Sequence, residues 1–164
     1  MVRHISIKAV LALVAHYDMA LEPMDAKTAF LHGDLEEQIY IEQPKGFSQP
    51  RQKHLVCKLK KSLYGLKQSP RKWYKRFDSY MIKIGYKRCE YNYCVYVRSL
   101  NDGSFIFQLL YVDDILIAAK SIMEVNKLKV LLSREFDMKD LGTTKKILGM
   151  EICKDKDAKR LWLS

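Results

Sequence analysis

Cysteine is scarce in this 164-residue chain, and Cys57, Cys89, Cys94 and Cys153 lack the paired spacing of zinc sites or disulfide frameworks. Reduced, buried thiols are the expectation. Glycine and proline number only seven and four and form no tract; linkers and disorder are therefore not expected away from the ends. No apolar run approaches the ~20 residues that cross a bilayer, so no membrane partner is expected. Phosphate-binding glycine loops, zinc-protease helices and serine-nucleophile elbows are absent too, which removes several common enzyme classes. Acid is the scarcer charge: 19 Asp and Glu stand against 29 Lys and Arg, a net +10. That balance makes nucleic acid the leading partner class.

The start of the chain imitates a secretion signal, with Arg3 and Lys8 ahead of apolar Ala9 to Ala15. Ile5, Ala9, Val10, Leu13 and Tyr17 nevertheless recur at helical spacing, and the segment reads as a core helix with that face buried. An intracellular protein follows. An extended piece at Leu21 to Asp25 and a compact turn at Lys27 to Gly33 come next. Strands are then predicted at Gln38 to Gln43, with Ile39 and Ile41 inward, and at Leu55 to Leu59. Ser69 and Pro70 open a helix, Ser69 as cap and Pro70 at the first helical position. Trp73, Phe77, Tyr80, Met81 and Ile84 mark its buried face, and Gly85 closes it.

Strands follow near Cys94 to Arg98 and Phe105 to Tyr111, joined by a turn at Asn101-Asp102-Gly103, and Ile115 to Ala119 pairs back. Ser121 and Glu124 have capping-box spacing ahead of a stripe at Ile122, Val125, Leu128, Leu132 and Phe136. A last strand is placed around Lys146 to Cys153. Strands and helices in mixed order with hairpins predict an α+β fold, an antiparallel sheet backed by helices.

Between two apolar runs stand adjacent carboxylates, Asp113 and Asp114. Neighbouring aspartates repel each other, and burial worsens the repulsion unless a cation neutralises it. Mg²⁺ suits carboxylate oxygens; a hairpin tip open to water is the ordinary alternative.

Other segments bear on that choice. Met24-Asp25-Ala26-Lys27-Thr28-Ala29-Phe30-Leu31 resembles the first catalytic motif of copia-type retrotransposon reverse transcriptases, and Tyr111-Val112-Asp113-Asp114 resembles their third. Leu59 to Arg71, reading LKKSLYGLKQSPR, is similar to the template-contacting second motif. Phe136 to Gly142 and Leu148-Gly149-Met150 look like the two later motifs, the last a primer grip. The resemblance covers nearly the whole chain, with Ala26 where the family usually has Val and His32 where Asn is common.

The resemblance implies a polymerase palm-like antiparallel sheet with partial fingers elements, residues 1–164 being one domain without N-terminal fingers strands, thumb, connection or ribonuclease H segments. It implies RNA-directed DNA polymerase activity by two-metal nucleotidyl transfer. Asp25, Asp113 and Asp114, with the Ala26 carbonyl, would hold two Mg²⁺ ions or Mn²⁺ in their place, and Lys139 would protonate the leaving pyrophosphate. Phe30 matches a steric gate against the ribose 2′-hydroxyl, with core packing as its plain alternative. Tyr64, Gly65, Lys67, Gln68, Tyr111 and Val112 would meet the nucleotide. Lys60, Lys61, Ser69, Pro70, Arg71, Leu148, Gly149 and Met150 would meet nucleic acid. Implied partners are an RNA or DNA template with primer, deoxynucleoside triphosphates and the remaining polyprotein domains, in a cytoplasmic particle or the nucleus. A catalytically silent nucleic-acid-binding remnant is the second reading. A metal-dependent nuclease shares the carboxylates and basic charge but neither the gate nor the template motif.

Overall fold

The computed structural model describes residues 4–47, 52, 54–142, 146–147, 150–155 and 160–163. The chain divides into two compact units, one formed by residues 1–28 and 78–164, the other by residues 29–77.

In the first unit, α1 (His4–His16) leads into β1 (Ala20–Ala26). Later in the chain come β4 (Lys87–Cys89), β5 (Asn92–Ser99), β6 (Phe105–Tyr111), β7 (Asp114–Ala119), α3 (Ile122–Glu135) and β8 (Met138–Asp140), while the second unit holds β2 (Tyr40–Ile41) and β3 (Cys57–Lys58). Six strands make one sheet in the order β4-β5-β6-β7-β1-β8, and every adjacent pair is antiparallel. This is the mixed α+β architecture that the sequence predicts. Strand β7 is buried on both sides, since Ile115, Leu116, Ile117, Ala118 and Ala119 are all inaccessible. Helices therefore cover both faces of the sheet. On one face Val14 of α1 and Met19 pack on Ala118, with Leu21 and Phe107 alongside. On the other, α3 buries Val125, Leu128 and Leu132, and Tyr80 meets Phe136 edge-on while its hydroxyl donates to the Leu131 carbonyl at 2.9 Å.

Helix α2 (Ser69–Lys83) follows its predicted limits and buries Trp73, Phe77, Tyr80 and Met81. Gly85, at φ +88°, ends it in the left-handed region that glycine adopts freely. Turn chemistry also holds at Gly103, φ +77°, where the Leu100 N–H donates to the Ser104 carbonyl at 2.8 Å.

Several expectations fail for physical reasons. Helix α1 buries Ile7, Val10, Leu11 and Val14, leaving Ile5 and Tyr17 exposed. Both stripes have helical spacing on a helix apolar around most of its girth, so spacing alone does not choose the face. Ser69 does not cap α2. Its hydroxyl is buried, donates to the Leu63 carbonyl at 2.6 Å and accepts from Ser62. Ser121 sits at the α3 N-cap without a side-chain cap bond, and Ile122 beside it is exposed. The strand expected at 146–153 is a hairpin instead: β9 (Lys146–Ile147) pairs with β10 (Met150–Asp155), and β10 with β11 (Arg160–Leu163). Strands β2 and β3 keep only two residues each. Edge strands β4 and β8, three residues apiece, carry no alternation long enough to read.

In the second unit, a Cβ on Gly33 would lie 2.8 Å from the Lys72 Cβ and 3.3 Å from two backbone atoms of α2. Gly33→Ala should therefore destabilise the chain by about 1–3 kcal/mol, the usual cost of overpacking. Thermal melting checks this, and an unchanged midpoint would refute it.

Candidate active site on the central strands

Strands β6 and β7 are joined by a two-residue turn, with Tyr111 paired to Asp114 and Val112 and Asp113 at the tip. Val112 has φ +59°, a conformation costly for a β-branched side chain and usually given to glycine at the first central position of such turns. On the other side of β7, Asp114 pairs with Asp25 of β1, and Asp25 pairs with Lys139 of β8. Directly paired residues of antiparallel strands share a face, their Cβ atoms ~4.5–5.5 Å apart. Tyr111, Asp114, Asp25 and Lys139 thus form one row across four strands. The remaining aspartate is fixed by its backbone: the Asp113 carbonyl accepts the Ala26 N–H at 2.9 Å.

Burial raises the Asp114 carboxyl above its usual range, and the charges of Asp113 and Asp25 push it further the same way. Ala26 is fully buried and Lys139 exposed. Among the described residues no three His, Cys, Asp or Glu side chains close into a metal cage. The three aspartates are neighbours by register, and their donor set is oxygen only, as hard divalent cations require. Their mutual repulsion is what such a cation would relieve. On donor chemistry and backbone placement, the residues fit a divalent ion.

Phe30 and the second-motif residues lie in the other unit. Phe30, on a 3₁₀ turn at Ala29–His32, is 7 % exposed, and its ring lies 4.3 Å from that of the exposed Tyr64. Gly65 adopts φ +93°. Lys60, Lys67, Pro70 and Arg71 are exposed and Gln68 half-buried. One correction concerns this segment. Ser69, expected to face nucleic acid, is fully buried, and both hydroxyl bonds stay inside the fold. Lys61 is engaged by Asp34 at 2.7 Å, and Lys72 by Glu36. Hydrogen bonds from these lysines hold Asp34 and Glu36 below the usual carboxylate range. Met150 is half-buried at the start of β10, whereas Leu148 and Gly149 lie outside the described residues.

A profile of the family described as "Reverse transcriptase (RNA-dependent DNA polymerase)" matches residues 1–164. The chain belongs to the reverse transcriptase family. Its copia-type character, expected from the motifs, agrees with its relatives. It is 52 % identical over 163 residues to the "Retrovirus-related Pol polyprotein from transposon TNT 1-94" of Nicotiana tabacum, covering 99 % of this chain and 12 % of that protein. It is 34 % identical over 150 residues to the corresponding polyprotein from transposon RE1 of Arabidopsis thaliana, covering 92 % and 10 %. Against the transposon Ty1-DR5 Gag-Pol polyprotein of Saccharomyces cerevisiae the identity is 31 % over 159 residues, with 92 % and 9 % covered. The chain thus spans about a tenth of these polyproteins. No solved structure matches. Reverse transcriptases are divalent-metal enzymes, in keeping with the three-aspartate donor set. No helix of the described residues is long and apolar enough to cross a membrane.

Sequence reasoning missed one buried charge beside these strands. Lys129 of α3 is 6 % exposed, and its Nζ bonds both Glu22 of β1 and, at 2.7 Å, Asp140 of β8. Burial alone would lower its ammonium; the bonds to Asp140 and Glu22 outweigh that and leave it raised. The Lys129 bond, then the Gly142 N–H, hold the Asp140 carboxyl low. A signal existed: Lys129 falls on the stripe of Val125, Leu128 and Leu132, and a charge there demands a partner.

Because the folded Asp114 carboxyl is raised, folding favours its protonated form. Its contribution to stability falls as pH rises from the ordinary carboxylate range through the raised value, and the full penalty holds above it. Asp114→Asn should therefore raise the metal-free melting temperature at neutral pH, by about 2–4 °C per kcal/mol of repulsion removed. The gain should shrink toward about pH 4, where carboxyls protonate. Melting curves across that range decide it; a gain independent of pH would refute the electrostatic cause.

Proposed function

We propose that this chain carries the polymerase centre of an RNA-directed DNA polymerase of a copia-type retrotransposon polyprotein. The observation that carries the proposal is the pairing of Asp25 with Asp114 beside a hairpin tip whose Asp113 carbonyl is tied to Ala26. Two carboxylates from distant parts of the sequence, plus a third next to one of them, are a donor set that a nucleotidyl-transfer site needs and a plain hairpin does not.

In this reading Asp25, Asp113 and the Ala26 carbonyl would hold Mg²⁺, with Asp114 as an accessory carboxylate. Bound there, Mg²⁺ would supply charge stabilisation for the attacking and leaving oxygens of a phosphoryl transfer. The primer 3′-hydroxyl gives up its proton to water as its oxygen forms a bond to the α-phosphorus of a deoxynucleoside triphosphate, the α–β phosphoanhydride bond breaks, and pyrophosphate departs with the electron pair. Lys139, exposed in the row beside Asp25, would give that leaving group a proton. Tyr111 in the row, Val112 beside it, and Tyr64, Gly65, Lys67 and Gln68 supply nucleotide contacts. Lys60 and Arg71, exposed on the basic segment, bind template phosphates without reading sequence, and exposed Pro70 meets the template beside Arg71. Phe30 acts as the gate on the nucleotide sugar.

Asp113→Asn in the polymerase containing this chain should lower primer extension on an RNA template with Mg²⁺ by about 10²-fold or more, the scale of losing a preorganised charge-stabilising group. Primer–template affinity should stay nearly constant. Full extension by that variant refutes the assignment.

Phe30→Ala tests specificity. If the ring rejects the 2′-hydroxyl, the ratio of ribonucleotide to deoxynucleotide incorporation should rise by about 10-fold or more, as pocket contacts of this size allow. Since Phe30 is buried against Tyr64, folding is first checked by circular dichroism. An unchanged ratio in a folded variant returns Phe30 to core packing.

A further inference from the structure

Strand β8 is three residues long, lies at the edge of the sheet and, among the described strands, pairs with β1 alone. Its pairs are Met24 with Asp140, Asp25 with Lys139 and Ala26 with Met138. So short a ladder specifies register weakly, and a slip of one residue turns every side chain to the opposite face. For Lys139, such a slip means leaving the Asp25 row for the α3 side.

Two features outside the ladder oppose the slip. Before β8, the Asp137 carbonyl accepts the Lys27 N–H at 2.9 Å, and the two side chains form an exposed ion pair at 3.4 Å. Within β8, Asp140 points to the α3 side, where buried Lys129 grips it together with Glu22. The Asp140 carboxylate also accepts the Gly142 N–H at 2.8 Å as the chain leaves the sheet. Because neighbouring residues of a strand alternate faces, holding Asp140 toward α3 holds Lys139 toward Asp25. The Lys27–Asp137 pair is exposed at both ends, screened by water, and holds weakly; Lys129 and Glu22 are enclosed, and only the Asp140 end of the clamp is open to water.

We infer that Lys129 is a positioning residue: by clamping Asp140 of β8 to Glu22 of β1 from beneath the sheet, it fixes the register that presents Lys139 beside Asp25. The catalytic consequence rests on the polymerase reading above; the clamp itself does not.

Hydrogen exchange and kinetics test the two halves separately. In Lys129→Met, the β8 amides should exchange about 10-fold faster or more, a local opening, while β5 and β6 keep their protection. Lys129→Arg, which retains a charge for both carboxylates, should stay near wild type. In the polymerase, Lys129→Met should lower kcat while changing KM for the nucleotide by less than about 2-fold. The loss should not multiply with that of Lys139→Ala, since residues acting through one group are non-additive. Should Lys129→Met fail to fold, Asp140→Leu removes the β8 arm, with the Gly142 bond, and leaves Lys129 paired with Glu22. Unchanged β8 exchange in these variants overturns the clamp. Losses that multiply with Lys139→Ala overturn its action through Lys139. Normal extension by Asp113→Asn overturns the polymerase reading instead, and the clamp then stands or falls on exchange alone.

Discussion

Asp25 faces Asp114 across two central strands, and the surrounding fold answers to that one unfavourable pairing. Like charges directly opposite in a sheet destabilise it, and partial burial raises the cost. Around the pair the sheet is otherwise strongly apolar: Met24, Ala26, Ile115, Leu116 and Ile117 are all buried. Burial of such strands supplies the stability against which a repulsive pair can be maintained. A fold selected only for stability would place an apolar or oppositely charged residue there. Keeping three carboxylates together is intelligible when their function is to receive positive charge.

The hairpin tip has the same character. A glycine at 112 would relieve the backbone, yet a valine occupies φ +59°. Strained backbone persists where the surroundings over-determine it, and here Tyr111 pairs with Asp114 while the Asp113 carbonyl is bound by Ala26. The tip is thus fixed on either side of Val112, and side-chain bulk at that position stays beside the carboxylates.

Much of the fold was legible because its signals are local. Helix α2 declares itself through Ser69-Pro70, the stripe from Trp73 to Met81 and the stop at Gly85. Strands β5 to β7 are read from the Asn101-Asp102-Gly103 turn and the apolar runs around the acidic pair. The acidic pair was legible from its apolar flanks, and its distant partner Asp25 only through family resemblance, because strand order is not a local property of sequence. The second motif shows the opposite failure. Ser69 has the right residue type for a cap, but a carbonyl at Leu63 and a hydroxyl at Ser62 compete for it and win. Strand β8 was unreadable because three residues carry no period; what places it is the Asp25 ladder and a lysine on another element.

Charge needs the same local accounting. A net +10 describes the chain but not the surface offered to a polyanion. In the second unit, Lys61 and Lys72 are engaged by Asp34 and Glu36, with Lys75 at 4.0 Å from Glu36. A phosphate approaching these lysines competes with a carboxylate already in place, which reduces the gain from each new contact. Lys58, Lys60, Lys67 and Arg71 are exposed without an acid engaging them among the described ion pairs. Non-specific affinity scales with the phosphates actually neutralised, so those four residues bear on it more heavily than the lysine count of the segment implies. In both units, therefore, an acidic side chain decides what a neighbouring lysine can do: Asp34 and Glu36 hold theirs back from a partner, while Asp140, held by Lys129, keeps Lys139 turned toward the aspartates.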